Sequence, residues 1–397
     1  MSLPAEFELA AACCRWPPGP GKASAVRAAA VGVDWDHFGK VVARHRIEPL
    51  ALRAIDEAGL SPPPAVLARL KSESASARRY NLILAGECER LQRHLKKAGI
   101  DYLFIKGLAL ASLAYGGIDL KKGWDVDLLV GPEEIDRSTG LLRSLGYRRT
   151  LPAEDMRAEA VAAWRAGMKE ETWTHGASAV PVELHWSLVD NPRLLPALGL
   201  DSPRQQVQVL PGISLPTLAD EPLYAYLCVH GASSAWFRLK WIADLQAFVS
   251  GRSDAEVERL HHGAVGLGAG RTSALALLLI ERLFGRPLTP NLAHLRRNAA
   301  ARLLVKLALT AMTAGRAVAE PSDSKAGAVA IHSVQALAMP GFGFLGSELK
   351  RQAFSPVGAL EVRLPKGVRF LYPLLLVPLW LRRRRSKARS KRPSAGA

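Results

Sequence analysis

The chain has 397 residues, of which 49% are hydrophobic and 22% charged, a composition that excludes intrinsic disorder for most of its length. Four cysteines without CxxC spacing exclude a disulfide scaffold and indicate reduced, structural thiols. Eight basic residues between Arg382 and Arg392 contribute to the net charge of +17 and leave +9 for the rest, a balance suited to anionic ligands such as nucleotides or RNA. An aromatic content of only 7% weakens any interpretation based on base-stacking platforms.

Neither end of the sequence has the pattern of a membrane-crossing segment. The first residues lack the basic start and long apolar run of a secretory signal. The apolar run from Phe370 to Leu381 contains two prolines and is shorter than the about 20 residues that span a bilayer. We therefore expect a cytoplasmic protein and leave open a peripheral membrane contact at the C-terminus.

Residues 1–98 are predicted to form an N-terminal helical region. Its clearest helix extends from Ala65 to Ala98, where apolar residues recur at helical spacing among good helix formers. Three prolines precede this helix, and Gly99 is predicted to cap its end.

Residues 99–190 alternate between strand and helix patterns and are predicted to form an α/β core. Helices are predicted at 108–115, from Pro132 onwards and at 154–166. Strands are predicted at Asp101–Ile105, Val126–Val130, Tyr147–Thr150 and Ala179–Leu188.

Residues 191–320 return to the helical period and are predicted to form a C-terminal helical domain. Its helices are predicted at 222–236, 238–249, 274–285 and 300–315. Residues 321–381 are predicted to be irregular around an apolar stretch, and residues 382–397 to be a basic, disordered tail.

Asp125 and Asp127 form the most informative pattern in the chain. Side chains alternate along a strand, so both carboxylates project from one face while Val126, Leu128 and Val130 project from the other. Neighbouring carboxylates repel each other and are costly to desolvate, and a divalent cation such as Mg²⁺ removes that cost. The alternative is a pair of solvated aspartates at the end of a surface strand.

Two further features indicate a phosphate and metal site. Lys106-Gly107 lies where a strand runs into a helix, so free backbone N–H groups and the lysine charge would attract phosphate. Glu183 shares a face with His185 inside an apolar strand, where a lone carboxylate needs a partner. That partner is either a metal shared with the two aspartates or a neighbouring Arg or Lys in a salt bridge.

In their order and spacing, these motifs resemble the nucleotidyltransferase superfamily with the DNA polymerase β-like fold. Within it, the chain is most similar to an uncharacterised bacterial family marked by a KG turn, a DxDLLV strand and a later ELHW strand. The resemblance covers roughly residues 60–250 and is carried by the segments IKGLALASLAYG, WDVDLLV, LRSLGYRR, VELHWSL and LCVHGASSAWFRLKWIADLQAF. It implies an α+β fold in which a small mixed-sheet, polymerase β-like nucleotidyltransferase core is flanked by N-terminal and C-terminal helical regions.

The resemblance also implies roles for single residues. Asp125 and Asp127 match the two metal-binding aspartates, and Glu183 matches the third carboxylate, which serves as catalytic base or metal ligand. Lys106-Gly107 stands where the wider superfamily has a Gly-Ser turn that contacts the triphosphate.

The remaining candidates would bind the nucleotide or support the site. An arginine that the family often has four residues before the first aspartate is Lys121 here, with Lys122 beside it, so the charge is kept and the bidentate fork is lost. The resemblance places a second domain over the nucleotide, where Arg238 or Lys240 would touch phosphate or base. The candidate supporting residues are His185, His230 and Asp244, with helix packing as the alternative for His230.

The implied reaction transfers a nucleoside monophosphate from a nucleoside triphosphate, such as ATP, to a hydroxyl group. Two Mg²⁺ ions about 3.5–4 Å apart would be held by the carboxylates, one activating the hydroxyl and the other stabilising the leaving pyrophosphate. The acceptor is left open among a small molecule, a peptide, a protein and an RNA.

Other interpretations of the sequence remain open. A catalytically inactive nucleotide-binding module would keep the fold without turnover. Walker and GxSxG motifs are absent from the sequence. The C-terminal apolar run and basic tail resemble an anchor for anionic membranes, with RNA binding or a solvated tail as alternatives. Four tryptophans are predicted to be core or cleft-wall residues: Trp173, Trp186, Trp236 and Trp241.

Overall fold

The computed structural model describes residues 3–176, 180–313 and 325–354. As predicted, helices form the N-terminal region. They are α1 (Ala5–Cys13), α2 (Pro20–Ala29), α3 (Trp35–His45), α4 (Glu48–Ala58) and α5 (Pro64–Ala98). The carboxylate of Asp34 accepts the His37 N–H and caps α3, and α5 ends on Gly99 in the left-handed conformation (φ 63°) that glycine adopts without strain.

A five-stranded mixed sheet follows, with the strand order β1-β2-β5-β4-β3. Its strands are β1 (Tyr102–Phe104), β2 (Val126–Val130), β3 (Tyr147–Leu151), β4 (Glu170–His175) and β5 (Pro181–His185). β2 and β5 run parallel, whereas the other neighbouring strands run antiparallel. The accompanying helices are α6 (Leu108–Tyr115), α7 (Ile135–Ser144), which follows a 3-10 turn at Pro132–Glu134, and α8 (Ala158–Gly167).

Three strands were missed by the sequence-based prediction. β4 has a half-polar sequence, EETWTH, and becomes a strand because it pairs on both sides, with β3 and β5. The hairpin of β6 (Arg204–Leu210) and β7 (Ile213–Leu218) was also not expected. It inserts Val207, Val209 and Leu215 into the same apolar cluster as β2, so tertiary packing decides its conformation.

Helices complete the chain. They are α9 (Asp220–Ser233), α10 (Leu239–Ser250), α11 (Asp254–Gly266), α12 (Gly270–Phe284), a 3-10 helix at Pro290–Arg297, α13 (Ala299–Thr313), α14 (Lys325–Ala336) and α15 (Phe342–Ala353). The segment after residue 320 was expected to be irregular, but its described part is helical; Pro340 and Gly341 separate two short helices there. The predicted apolar stretch and basic tail, residues 370–397, lie outside the described residues.

Two apolar clusters hold these elements together. The larger one joins the N-terminal helices to the C-terminal helices in a single core. The smaller one lies between the sheet and α5, where Val126 and Leu128 of β2 pack with Leu84. Leu129 belongs instead to the larger cluster, so the alternation predicted for β2 is confirmed and Asp127 lies on the face that looks toward the C-terminal helices.

The cysteines have the predicted structural character, since all four are free and buried. Burial raises the pKa of Cys13 to about 12, which keeps it a thiol. Within the part of the chain that the structure describes, no helix combines the length and apolar character needed to cross a membrane.

Candidate active site

The parallel pairing of β2 with β5 creates the centre of the candidate site. Its register places Asp127 directly opposite Glu183. His185 lies two residues after Glu183 and therefore projects from the same face of β5. Asp125 immediately precedes β2, and all three predicted carboxylates line one cavity.

Asp127, Glu183 and His185 offer a compact set of ligand atoms. Two carboxylate oxygens and one imidazole nitrogen, one atom from each residue, lie within 4.8 Å of one another. The Oδ2 atom of Asp127 is buried and has no hydrogen-bond partner among the described residues, so a bound cation would satisfy it. These residues therefore fit a divalent cation. This group differs from the predicted set of three carboxylates, because it contains His185 and does not contain Asp125.

Lys106 forms a charged pair with the central carboxylates. Its Nζ lies 2.7 Å from Oδ1 of Asp127 and 4.0 Å from Oε2 of Glu183. Burial lowers the pKa of Lys106, but the nearby anionic groups, Asp127 above all, raise it well above its ordinary value. Burial likewise raises the pKa of Asp127, whereas Lys106 and His185 hold it well below its ordinary value. The salt bridge considered for Glu183 thus exists, although Lys106 lies closer to Asp127.

His185 connects Asp127 to β4. It is fully buried, with Nε2 3.3 Å from Oδ1 of Asp127 and Nδ1 3.1 Å from Oε2 of Glu170. Burial and the charge of Lys169 lower the pKa of His185, but hydrogen bonds to Asp127 and Glu183 raise it above its ordinary value overall. The imidazole is thereby fixed in one orientation against the carboxylates.

The pKa of Asp125 is that of a carboxylate buried beside another negative charge. Burial and the negative charge of Asp127 raise its pKa to about 7, against the opposing charges of Lys106 and Lys240. A like-charge cluster of this kind is relieved by a bound cation, which favours the ionised form of every carboxylate around it.

The cavity that these residues line has a volume of about 440 Å³, within the size range of small-molecule sites. Gly107 lines it at the start of α6 and has a positive φ of 65°, which a side chain would strain. The first turn of α6 therefore begins in the wall of the cavity, where backbone N–H groups and the positive end of the helix favour an anion.

Lys121 and Lys122 line the cavity but each has an acidic partner. The ammonium of Lys121 pairs with the carboxylate of Asp244, which also accepts the Tyr115 hydroxyl at 2.9 Å. Nζ of Lys122 lies 3.0 Å from carboxylate oxygens of both Glu48 and Glu73. Both lysines therefore connect the loop before β2 to surrounding helices.

Lys240 lines the cavity without such a partner: among the described residues, no hydrogen bond or ion pair involves its ammonium group. Burial and the charge of Lys121 lower its pKa to about 7, despite the nearby carboxylates of Asp244 and Asp125. A cavity-facing lysine held close to other cations is stabilised by an anionic ligand.

Arg238 and His230, also predicted from the sequence, are placed differently. Arg238 does not line the cavity; it is buried, and its Nη1 donates to the Arg44 carbonyl at 2.6 Å. His230 lines the cavity, with its ring centroid 5.7 Å from that of Tyr226 and 5.8 Å from that of Trp241. Burial and the charge of Lys106 lower the pKa of His230 well below its ordinary value, so its ring is neutral.

Several cavity residues were not identified from the sequence. Trp124 directly precedes the DxD pattern, and this aromatic residue was the one available signal. Glu170 lies in β4, a strand that no sequence motif marks. The others come from distant parts of the chain, and no local pattern marks them: Arg46 after α3, Asn191 after β5, Gln335 in α14, and Glu348 and Arg351 in α15.

Comparison with known proteins assigns the chain to a family. The model of the family described as uncharacterised nucleotidyltransferase matches residues 32–285. The match covers more than half of the chain, which therefore belongs to this family and is a transferase at the level of that description. It extends beyond the roughly 60–250 suggested by the motifs and leaves α13, α14 and α15 outside. No curated protein and no solved structure matches the chain.

Proposed function

We propose that this nucleotidyltransferase moves a nucleoside monophosphate from a nucleoside triphosphate to a hydroxyl group, on a core of the polymerase β-like kind. The observation that carries the proposal is the juxtaposition of Asp127 and Glu183 on parallel strands at a cavity that also contains cations. Phosphoryl transfer needs mainly this combination, because it depends on positioning and on charge neutralisation.

Asp125, Asp127 and Glu183 are the residues that would hold Mg²⁺, in one or two ions, because Mg²⁺ prefers oxygen ligands. When bound, Mg²⁺ neutralises phosphate charge and makes the acceptor hydroxyl more acidic. His185 then acts as the hydrogen-bonding partner that orients Asp127, a common arrangement behind metal ligands. Lys106 neutralises Asp127 in the ligand-free site and lines the cavity in which the phosphates would lie.

The phosphates would be held by the chain itself. Lys240 supplies a cavity-facing ammonium, and Gly107 brings the N-terminus of α6 to the cavity wall. In the transfer, the acceptor oxygen forms a bond to the α-phosphorus and the bond to the pyrophosphate oxygen breaks. The hydroxyl proton passes to Glu183, whose side chain is 23% exposed and so accessible to the acceptor.

Turnover in the presence of a cell extract tests the proposal. The purified protein is incubated with Mg²⁺, extract and each α-³²P-labelled ribonucleoside triphosphate in turn, and pyrophosphate release and the fate of the label are measured. We expect release with at least one nucleotide and its loss in the Asp125→Ala/Asp127→Ala variant. Sensitivity of the labelled product to nuclease or protease then separates RNA, protein and small-molecule acceptors.

Calorimetry with each nucleotide, performed beside the turnover experiment, distinguishes the inactive binding module. Such a module would bind a nucleoside triphosphate in calorimetry and release no pyrophosphate with any extract. Absence of binding by all four nucleotides, in the wild type, would contradict both interpretations.

A further inference from the structure

Trp124 is the exposed aromatic side chain of the cavity wall. Its side chain is 51% exposed, although it immediately precedes Asp125 and lines the same cavity. A large indole left this open to solvent contributes little to folding, and it belongs to neither apolar cluster. The position therefore requires an explanation other than core packing.

The backbone around Trp124 is held firmly by α5. The Trp124 carbonyl accepts the Tyr80 hydroxyl at 2.8 Å, and the N–H of Gly123 donates to Oδ1 of Asn81 at 3.0 Å. The amide of Asn81 also donates to the carbonyls of Ile118 and Lys121 at 2.6 and 2.7 Å. A side chain at Gly123 would approach within 2.4 Å of Asn81, so the loop packs directly on the helix. An exposed ring on a fixed backbone is a preorganised contact surface.

Arg46 supports the ring from one side. Its guanidinium carbon lies 4.4 Å from the centroid of the Trp124 ring, a cation–π arrangement. Arg46 lines the same cavity and ends α3 in the left-handed conformation, with φ 56°, which is unusual for a residue with a side chain. Planar guanidinium and indole groups both stack on nucleobases.

We propose that Trp124, supported by Arg46, is the surface on which the base of the nucleoside triphosphate stacks. This inference rests on the proposed function, since it assigns the base of the same nucleotide whose phosphates are proposed to contact Lys240. It also revises the expectation that the low aromatic content weakens any interpretation based on base stacking, because one tryptophan beside the carboxylates is sufficient for one base. Stacking tolerates every base, which agrees with the absence of a base-reading motif in the sequence.

Calorimetric titration of variants tests the assignment. The wild type, Trp124→Ala, Trp124→Phe and Phe342→Ala are titrated, with Mg²⁺, against each ribonucleoside triphosphate and against inorganic tripolyphosphate, which has no base. Phe342 is the matched control, because its side chain is 93% exposed and does not line the cavity. Circular dichroism and the melting temperature of each variant show whether it is folded.

We expect Trp124→Ala to bind the nucleotide about 10- to 100-fold more weakly, as removal of a base-stacking aromatic does elsewhere. Its affinity for tripolyphosphate should stay that of the wild type, and Trp124→Phe should recover most of the nucleotide affinity. Equal loss for both ligands, or no loss for the nucleotide, overturns the inference and leaves the proposed function intact. No nucleotide binding by the wild type overturns both.

Discussion

Asp127 and Glu183 lie directly opposite each other on neighbouring parallel strands, although they are far apart in the sequence. Parallel strands cannot be joined by a tight turn, so the chain between them has to cross over before it returns to the sheet. The connection in this protein carries α7, β3, α8 and β4. Correct folding of this crossover therefore assembles the carboxylate pair.

Asp127→Asn is expected to reduce pyrophosphate release by about 100-fold or more, because it removes the negative charge of a carboxylate in the proposed Mg²⁺ site. The change also weakens the ion pair with Lys106, so the melting temperature of the variant is measured to distinguish lost stability from lost catalysis. Asp125→Asn leaves that ion pair intact and should abolish turnover as well. Asp119→Asn, at an exposed aspartate in the loop before β2, is the control and should retain full activity; equal activity in all three variants would contradict the assignment.

Substitutions of Lys240 and Lys122 are expected to differ in effect: the first should weaken ligand binding, and the second should lower stability. Lys240→Met should weaken binding of both nucleotide and tripolyphosphate by about tenfold or more, since it removes a charge-assisted phosphate contact, with little change in the melting temperature. Lys122→Met should lower the free energy of unfolding by about 1–3 kcal/mol, because the buried Glu48 carboxylate loses its partner. Calorimetry and urea denaturation of both variants measure the two effects, and an exchanged pattern would contradict these roles.

His45 is expected to make stability depend on pH in the acidic range. It is 1% exposed, and its Nδ1 accepts the Leu239 N–H at 2.9 Å. Burial and the charges of Arg44 and Arg238 lower its pKa to about 3. The unfolded chain therefore binds a proton at this residue before the folded chain does, and stability is lost as the pH falls below the ordinary histidine pKa of about 6.5.

His45→Asn tests this dependence, because the asparagine carbonyl can accept the same N–H and does not titrate. Between about pH 6 and pH 4.5, the free energy of unfolding of the wild type should fall more steeply than that of the variant, by about 1.4 kcal/mol per pH unit. Urea denaturation at several pH values gives both slopes. Parallel slopes would contradict the prediction.

Gly231→Ala is expected to destabilise the protein by overpacking. A Cβ atom at Gly231 would lie 2.4 Å from ring atoms of Trp236, which is 1% exposed and cannot move into solvent. Overpacking of this kind costs about 1–3 kcal/mol. Gly86 lies exposed in α5, where an added Cβ would meet no atom within 4 Å, so the same substitution there should stabilise by about 0.5–1 kcal/mol. Thermal denaturation distinguishes the two; equal shifts would contradict the packing argument.

The local features of the site could be predicted from the sequence because each depends on nearby residues. The alternation in Val126–Val130 fixes which side chains of β2 face the core, and Gly107 marks the start of α6. The strand with Glu183 and His185 was predicted for the same reason.

The long-range features could not be predicted, because they depend on tertiary contacts. The polar strand β4 forms through pairing on both sides, and it brings Glu170 to His185. Arg46 reaches the loop residue Trp124 from the end of α3. Arg238 carries the right charge for a phosphate contact, but its bond to the Arg44 carbonyl holds it elsewhere. Charge and spacing do not specify such partners.

Magnesium-dependent nucleotide binding by the wild type and Glu183→Gln tests the central claim most directly. Glu183 is partly exposed and lies 4.0 Å from Lys106, so the variant should fold and melt like the wild type. We expect the wild type to bind at least one ribonucleoside triphosphate in calorimetry with Mg²⁺ and not with EDTA, and we expect Glu183→Gln to lose this difference. Binding that is the same with Mg²⁺ and EDTA, or the same in both proteins, would contradict a metal-assisted nucleotide site at the paired strands.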